Sequence, residues 1–310
     1  MHRFRILVPV SFGDQSDIAL RQAKSLAHQV NAMVTCLHVI EKPGIIGGKL
    51  IAKEMAQKVR IENEIKIASK VDAILSGNNG VSYEIIVTSG NVHSKILEEA
   101  SELKIDMIIM GRADDKDSTK SALGTNASRV IERSTIPVLT VRDYQTPSYA
   151  NILLPLDLSV SISLQLANAI EIAELLKAMV TVIAIMPLYG TKLEYAYKRR
   201  LIDIKKIFSQ YDIFCRVKLL ITEKGVADEI LSCSKNYHPS MLFIMTQKES
   251  EIDDLSIGSV ADKLIRRSDI PVLSVTPVIQ NDHYPFRALF GSINQPIDWF
   301  DLNDHLITAD

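Results

Sequence analysis

Three cysteines, Cys36, Cys215 and Cys233, are all that 310 residues contain. Three scattered thiols cannot build a disulfide framework and lack zinc-site spacing, so a reducing cytoplasm is the expected compartment. An excess of one charge is missing too: Lys plus Arg is 35, Asp plus Glu is 37, and the formal net charge is −2. That balance leaves no footprint for nucleic acid and no polybasic patch for a membrane. Long hydrophobic runs are absent. The first, Ile6 to Val10, is too short for a signal-peptide core, and none later reaches transmembrane length. Dinucleotide fingerprints, P-loops, nucleophile elbows and zincin motifs do not occur either. What remains is 47% hydrophobic and 23% charged, ordinary for a globular protein and long enough for two cores.

The clearest positive feature is an internal repeat. Ile6-Leu7-Val8-Pro9-Val10-Ser11 resembles Ile152-Leu153-Leu154-Pro155-Leu156-Asp157. Ile136-Pro137-Val138-Leu139-Thr140-Val141 matches Ile270-Pro271-Val272-Leu273-Ser274-Val275, and between these blocks Gly124-Thr125-Asn126-Ala127 matches Gly258-Ser259-Val260-Ala261. Ile6 and Ile152 are 146 positions apart, Ile136 and Ile270 only 134, so the second copy lacks about a dozen residues after its first strand. The reading is two homologous lobes, 1–144 and 149–277, a polar linker at Tyr144–Ser148, and a tail over 278–310.

Within the first lobe short apolar runs alternate with helical spacing. Strands are expected over Arg5–Val10, Met33–Ile40, Ser82–Thr88, Asp106–Met110 and Ile136–Val141. Helices are expected over Asp17–Val30, Leu50–Leu75, Val92–Leu103 and Leu123–Arg133. The second lobe repeats the series, with strands near 151–156, 180–186, 214–222, 240–245 and 270–275. This alternation is α/β and implies a doubly wound parallel sheet in each lobe, covered on both faces. The last strand of such a sheet is an apolar edge that invites pairing. The two copies are expected to cover each other as an intrachain pseudo-dimer; the alternative is a loop over each edge.

Ligands of such sheets lie beyond the carboxyl ends of the strands. Three segments of lobe one converge there: Val8 to Asp14, Ser89 to Val92, and Met110 to Asp114 with Leu123 to Ala127. A Gly-Thr pair opening a helix offers amides and a hydroxyl to an anion, and Gly111 lets a ligand approach the backbone. The same glycines also suit turns and helix packing, and spacing alone does not separate the two readings.

Gly111, two residues, Asp114, nine residues and Gly124-Thr125 resembles the nucleotide loop of the universal stress protein family. The strand-one exit, the Gly90-Asn91-Val92 turn and the Ile-Pro-Val-Leu final strand carry the same likeness, over nearly 1–277, in the manner of the family's tandem members. The resemblance implies Rossmann-like sheets with strand order 3-2-1-4-5 and a non-catalytic module of stress adaptation. ATP, with Mg, or AMP is the implied ligand. In lobe one it implies Pro9, Val39, Met110, Gly111, Gly124, Thr125 and Asn126 as contacts. Ser11 stands where the family has a strand-one Asp, and Asp114 where it has a second loop glycine. In lobe two Asp157, Gly258 and Ser259 keep the motif, whereas Thr246 and Glu249 replace its glycines. The loop there carries Glu249, Glu251, Asp253 and Asp254, which a triphosphate would meet. In lobe one Asp115 and Asp117 add negative charge, while Arg112, Lys116 and Lys120 offset it.

Three readings stay open. The first is a nucleotide-responsive module, the second a nucleotide-free scaffold for an unknown protein partner, and the third a hydrolase resting on Asp114 and Asp115. Further homodimerisation fits any of them. His38 reads as a satisfied strand-end residue, His93 as helix-start surface, Cys36 as a small core residue and Lys198-Arg199-Arg200 as a solvated face. The tail carries Tyr284, Phe286, Phe290, Trp299 and Phe300, and disordered tails avoid aromatics. It is expected to pack on the body, in place of the shortened crossover, or on a partner.

Overall fold

The computed structural model describes residues 3–41, 53–77, 80–112, 123–142, 148–160, 162–186, 191–223, 225–247 and 257–276. Linker residues 144–147, Asp114, Asp115, Lys116, Asp117, Lys120, Glu249, Glu251, Asp253, Asp254 and the tail 278–310 lie outside them. The chain divides into two compact units between Thr146 and Pro147.

The first half runs β1 (Arg5–Pro9), α1 (Asp14–Val30), β2 (Met33–Glu41), α2 (Lys53–Leu75), β3 (Ser82–Gly90), α3 (Val92–Glu102), β4 (Met107–Gly111), α4 (Thr125–Arg133) and β5 (Val138–Val141). Its strands are all parallel, in the order β3-β2-β1-β4-β5. The second half runs β6 (Asn151–Leu156), α5 (Ser163–Leu176), β7 (Met179–Met186), α6 (Thr191–Gln210), β8 (Cys215–Ile221), α7 (Val226–Asn236), β9 (Met241–Met245), α8 (Ser259–Arg267) and β10 (Val272–Val275). Its order, β8-β7-β6-β9-β10, is the same 3-2-1-4-5 arrangement. β5 and β10 are each the outer strand of their own five, and their pairing stays an expectation of the sequence.

Central strands covered on both faces must be apolar throughout. Ile6, Leu7 and Val8 of β1 and Ile152, Leu153 and Leu154 of β6 are accordingly fully buried. α1 buries Ala19, Leu20, Ala23, Leu26 and Ala27, one face at helical spacing. It ends at Asn31, whose left-handed backbone (φ 53°) lets Ala32 N–H return to Ala27 O at 3.0 Å. α5 ends alike at Lys177 (φ 52°), with Ala178 N–H on Ala173 O at 2.9 Å. After α4 and α8 the buried hydroxyls of Ser134 and Ser268 donate to Ile136 O (2.6 Å) and Ile270 O (2.9 Å), turning the chain into each last strand. The repeat thus extends to its caps and turns.

Three differences from the expected elements have physical causes. α1 starts at Asp14 rather than Asp17, and the Ser16 hydroxyl, 2.8 Å from both Ser11 O and Gly13 O, shares its one proton between them and ties the added turn to the β1 exit. β3 continues through Ser89 and Gly90, which look like turn residues but pair with Ile40 and Glu41. In α2 the apolar spacing does not amount to one buried face from end to end: Val59 is 40% exposed, and the packed residues are Ile67, Val71, Ile74 and Leu75 near its end. The missing dozen residues also find their place. β7 starts 146 positions after β2, but β8 only 133 after β3, so the loss lies in the crossover carrying α6. Residues 42–52 separate β2 from α2, whereas only 187–190 separate β7 from α6.

Candidate functional site

In the first half, β1 and β4 are neighbours, so their exits open side by side. Ser11 leaves β1 into a closed network. Its N–H donates to Ser16 Oγ at 3.2 Å, its hydroxyl lies 3.2 Å from the same oxygen, and Gly13 N–H donates to it at 3.3 Å. The hydroxyl therefore shapes the turn into α1. Lys70 of α2 holds that turn from outside, donating to Gly13 O at 2.9 Å and pairing with Asp17 at 2.6 Å. His38, buried near the end of β2, meets Val10 O through Nδ1 at 2.8 Å, as a satisfied strand-end residue should. Phe12 lies tilted against its ring at 5.2 Å and is 53% exposed. Pro9 and Val39 are partly exposed at these exits, and Met110 is buried.

Gly111 ends β4 under the first turn of α1. A Cβ there would lie 1.9 Å from Gln15 O and 2.5 Å from Gln15 C, both backbone atoms. Of the two roles the sequence left open for Gly111, the neighbour present is a helix. Gly124 is different: it opens α4 without a side-chain cap, and a Cβ would meet no described residue within 4 Å. Gly124 and Thr125 are exposed, Asn126 partly so. The first amides of a helix lack partners within it, and the dipole makes that end receptive to an anion. Arg112, weighed as an offset to the loop carboxylates, is buried at 3% exposure.

The second half departs at the matching positions. Asp157 is exposed, and its Oδ1 accepts from Ser159 N–H at 3.0 Å and from the Ser159 hydroxyl, so the carboxylate caps its own turn. α5 begins at Ser163, later than α1 does in the aligned numbering. The strand end that is Gly111 in the first half is Met245 here, since Met245 pairs with Val275 as Gly111 does with Val141; Thr246, expected at that place, stands instead where the first half has Arg112. Thr246 is buried, and its hydroxyl donates to Thr276 Oγ1 at 3.2 Å. Gly258 N–H closes on Thr246 O at 2.8 Å, and Ser259 is exposed at the start of α8.

Two readings of side chains need correction. Arg200 was grouped with a solvated face, yet it is half-buried and its Nη1 donates to Leu158 O at the β6 exit. Its Nε and Nη2 have no partner among the described residues, and desolvation lowers its pKa, with Tyr197 and Asp157 opposing. The side chain turns down because α6 carries Tyr197, Leu201 and Ile204 on its buried face, one turn either side of it. His93, expected at the surface, is 7% exposed, and its Nδ1 has no partner among the described residues. Asn91 rather than His93 caps α3, accepting from Ser94 N–H at 3.3 Å, and so frees the ring to point inward. Burial lowers the His93 pKa, and Arg129 and Arg133 of α4 add to the shift. Cys36 is buried as expected, its thiol pushed up to about 12 by burial and then by Glu84. Among the described residues no group of three or more His, Cys, Asp or Glu is placed for a metal, and no helix is long and apolar enough to cross a membrane.

His93 carries a pH prediction. Its folded pKa lies below the ordinary histidine value of about 6.5, so on acidification the unfolded chain takes the proton first. Its contribution is present above about pH 6.5 and is lost as pH falls toward the folded value. Urea midpoints of the first half should decline over that window and flatten in His93→Gln. Parallel profiles for both proteins would contradict this role.

The profile of the universal stress protein family matches residues 2–142 and again 148–276. A universal stress protein of Methanocaldococcus jannaschii is 25% identical over 152 residues, 44% of this chain and 94% of its own length. Universal stress protein G of Shigella flexneri is 29% identical over 142 residues, 44% of this chain and 97% of its own length. The crystal structure of a universal stress protein from Archaeoglobus fulgidus superposes with a TM-score of 0.67 over 88% of this chain and 98% of its own, at 18% identity. Two family matches in tandem and two copies of one strand order place this chain in the universal stress protein family, as a two-domain member.

Proposed function

We propose that the chain is a non-catalytic, nucleotide-responsive module of stress adaptation in which the first half takes ATP, with Mg, or AMP. The second half then serves as a nucleotide-free face for a protein partner. The carrying observation is the start of α4, where Gly124 has no side-chain cap and a Cβ would meet no described residue within 4 Å. Phosphates fit the free amides there, with Thr125 and Asn126 alongside. The exposed ring of Phe12 offers a stacking face for the base, and Pro9 and Val39 extend it. In the second half Asp157 is engaged with Ser159, and Arg200 reaches the same strand exit, so the carboxylate is a poorer receptor for a nucleoside. Occupancy would shift the population of a surface that the partner reads. The cytoplasm is the proposed compartment.

The second reading is a scaffold without nucleotide in either half, favoured by the Ser11 hydroxyl already spent on Ser16 and Gly13. Thermal shift separates the two. A ligand at a hundredfold excess over its Kd stabilises the native state by about 2.7 kcal/mol. ATP or AMP should raise the unfolding temperature of the wild type and leave that of Gly124→Asp unmoved. The variant itself should stay folded, since its side chain meets no described residue and an Asp at a helix start is favourable. No shift at millimolar ATP or AMP would remove the nucleotide reading. Hydrolysis would need a base or metal carboxylates at the phosphates, and turnover lost in Asp114→Ala is the result that reading requires.

A further inference from the structure

α6 stands out among the helices of the second half. Its inner face is packed, with Leu201, Ile204 and Phe208 buried. Its outer face shows Tyr195 at 70% and Ile202 at 53% exposure, two turns apart. Between and beyond them lie Lys198, Arg199, Lys205 and Lys206, all exposed. Lys198 pairs with Glu194 and Lys206 with Asp203, while Arg199 and Lys205 form no ion pair with another described residue. The stripe is apolar at its centre and cationic at its margins. The crossover bearing this helix is also the one that is shortened relative to the first half.

We infer that the outer stripe of α6 is the docking site for the chain's own C-terminal segment around Ile297–Asp304. That segment reads Ile297-Asp298-Trp299-Phe300-Asp301-Leu302-Asn303-Asp304, aromatic and aliphatic residues interleaved with carboxylates. Beyond Thr276 the chain carries Asp282, Asp298, Asp301, Asp304 and Asp310 against the single Arg287, so the tail is as acidic as α6 is basic. Reach is ample. Four interstrand steps of about 4.8 Å separate β10 from β8, about 19 Å, while the 21 residues from Thr276 to Ile297 extend to about 70 Å. Trp299 and Phe300 supply apolar area for Tyr195 and Ile202, with carboxylates left to meet Arg199 and Lys205. The outer stripe of α2 shows Val59, Ile61 and Ile65, but its charges are mixed: Glu62 and Glu64 interrupt the cations, and Arg60 already pairs with Glu64. Charge therefore selects α6.

Trp299 is the only tryptophan, so its fluorescence reports the tail directly in the full chain. Acrylamide should quench it weakly in the wild type. Quenching should rise several-fold in Ile202→Asp, and again in Arg199→Glu with Lys205→Glu. Adding Asp298→Lys and Asp301→Lys to the latter pair should restore protection, which a merely unfolded variant would not do. Circular dichroism checks that each variant keeps its helices. The inference is overturned if wild-type Trp299 is quenched as readily as a free peptide of residues 293–306, or if Ile202→Asp leaves it protected. Protection that disappears on dilution, together with a dimer on gel filtration, would assign the tail to a second copy and also overturn it.

Discussion

Gly111→Ala is expected to destabilise the first half by about 3 kcal/mol, the upper end for overpacking a tight contact. The added methyl would sit 1.9 Å from Gln15 O and 2.5 Å from Gln15 C. Neither atom belongs to a flexible side chain, so relief requires moving the first turn of α1 away from β4. That turn is tethered by the Ser16 hydroxyl and by Lys70, which would lose their geometry together. Hydrogen exchange should therefore quicken in peptides over Asp14–Leu20 and Met107–Gly111, with second-half peptides unchanged. Gly124→Ser is the control, adding a side chain where no described residue lies within 4 Å, at a position that favours serine. A loss under 1 kcal/mol for Gly111→Ala would mean that the helix does not rest on this strand end.

Phe208→Ala is the second large effect, at about 4 kcal/mol. Phe208 is fully buried on the inner face of α6, among the largest side chains with no exposure. Its removal deletes an aromatic anchor and leaves a cavity in a half whose total stability is on the order of 5–15 kcal/mol. The crossover around it is already short, so little chain is at hand to collapse into the space. Denaturant titration should give an early second-half transition, with the first half unmoved. A cost under 1 kcal/mol would show that α6 contributes little to that core. The partner experiment on the outer face keeps Phe208 intact, so the two sides of the helix are tested apart.

Much of this architecture was legible in residues. Strands such as Ile6–Val10 are continuous apolar runs because both faces are covered, and such runs announce a parallel sheet. The repeat located the second half from three short blocks. Side-chain direction was harder. Arg200 sits in a run of cations, and only the buried positions of Tyr197, Leu201 and Ile204 around it reveal that it faces inward. His93 follows an Asn that takes the capping role, and the sequence carries that signal as Asn91-x-x-Ser94. The burden on Gly111 was invisible for another reason. Its contact is a backbone oxygen of a residue nearly a hundred positions away, and no local pattern records that. Met245 at the matching strand end becomes intelligible once α5 is seen to start later.

Titration calorimetry of ATP into the full chain and into two single variants tests the division of labour most directly. The account predicts one site per chain, kept in Gly258→Asp and abolished in Gly124→Asp. Binding that survives Gly124→Asp but fails in Gly258→Asp, or two equal sites per chain, would contradict it.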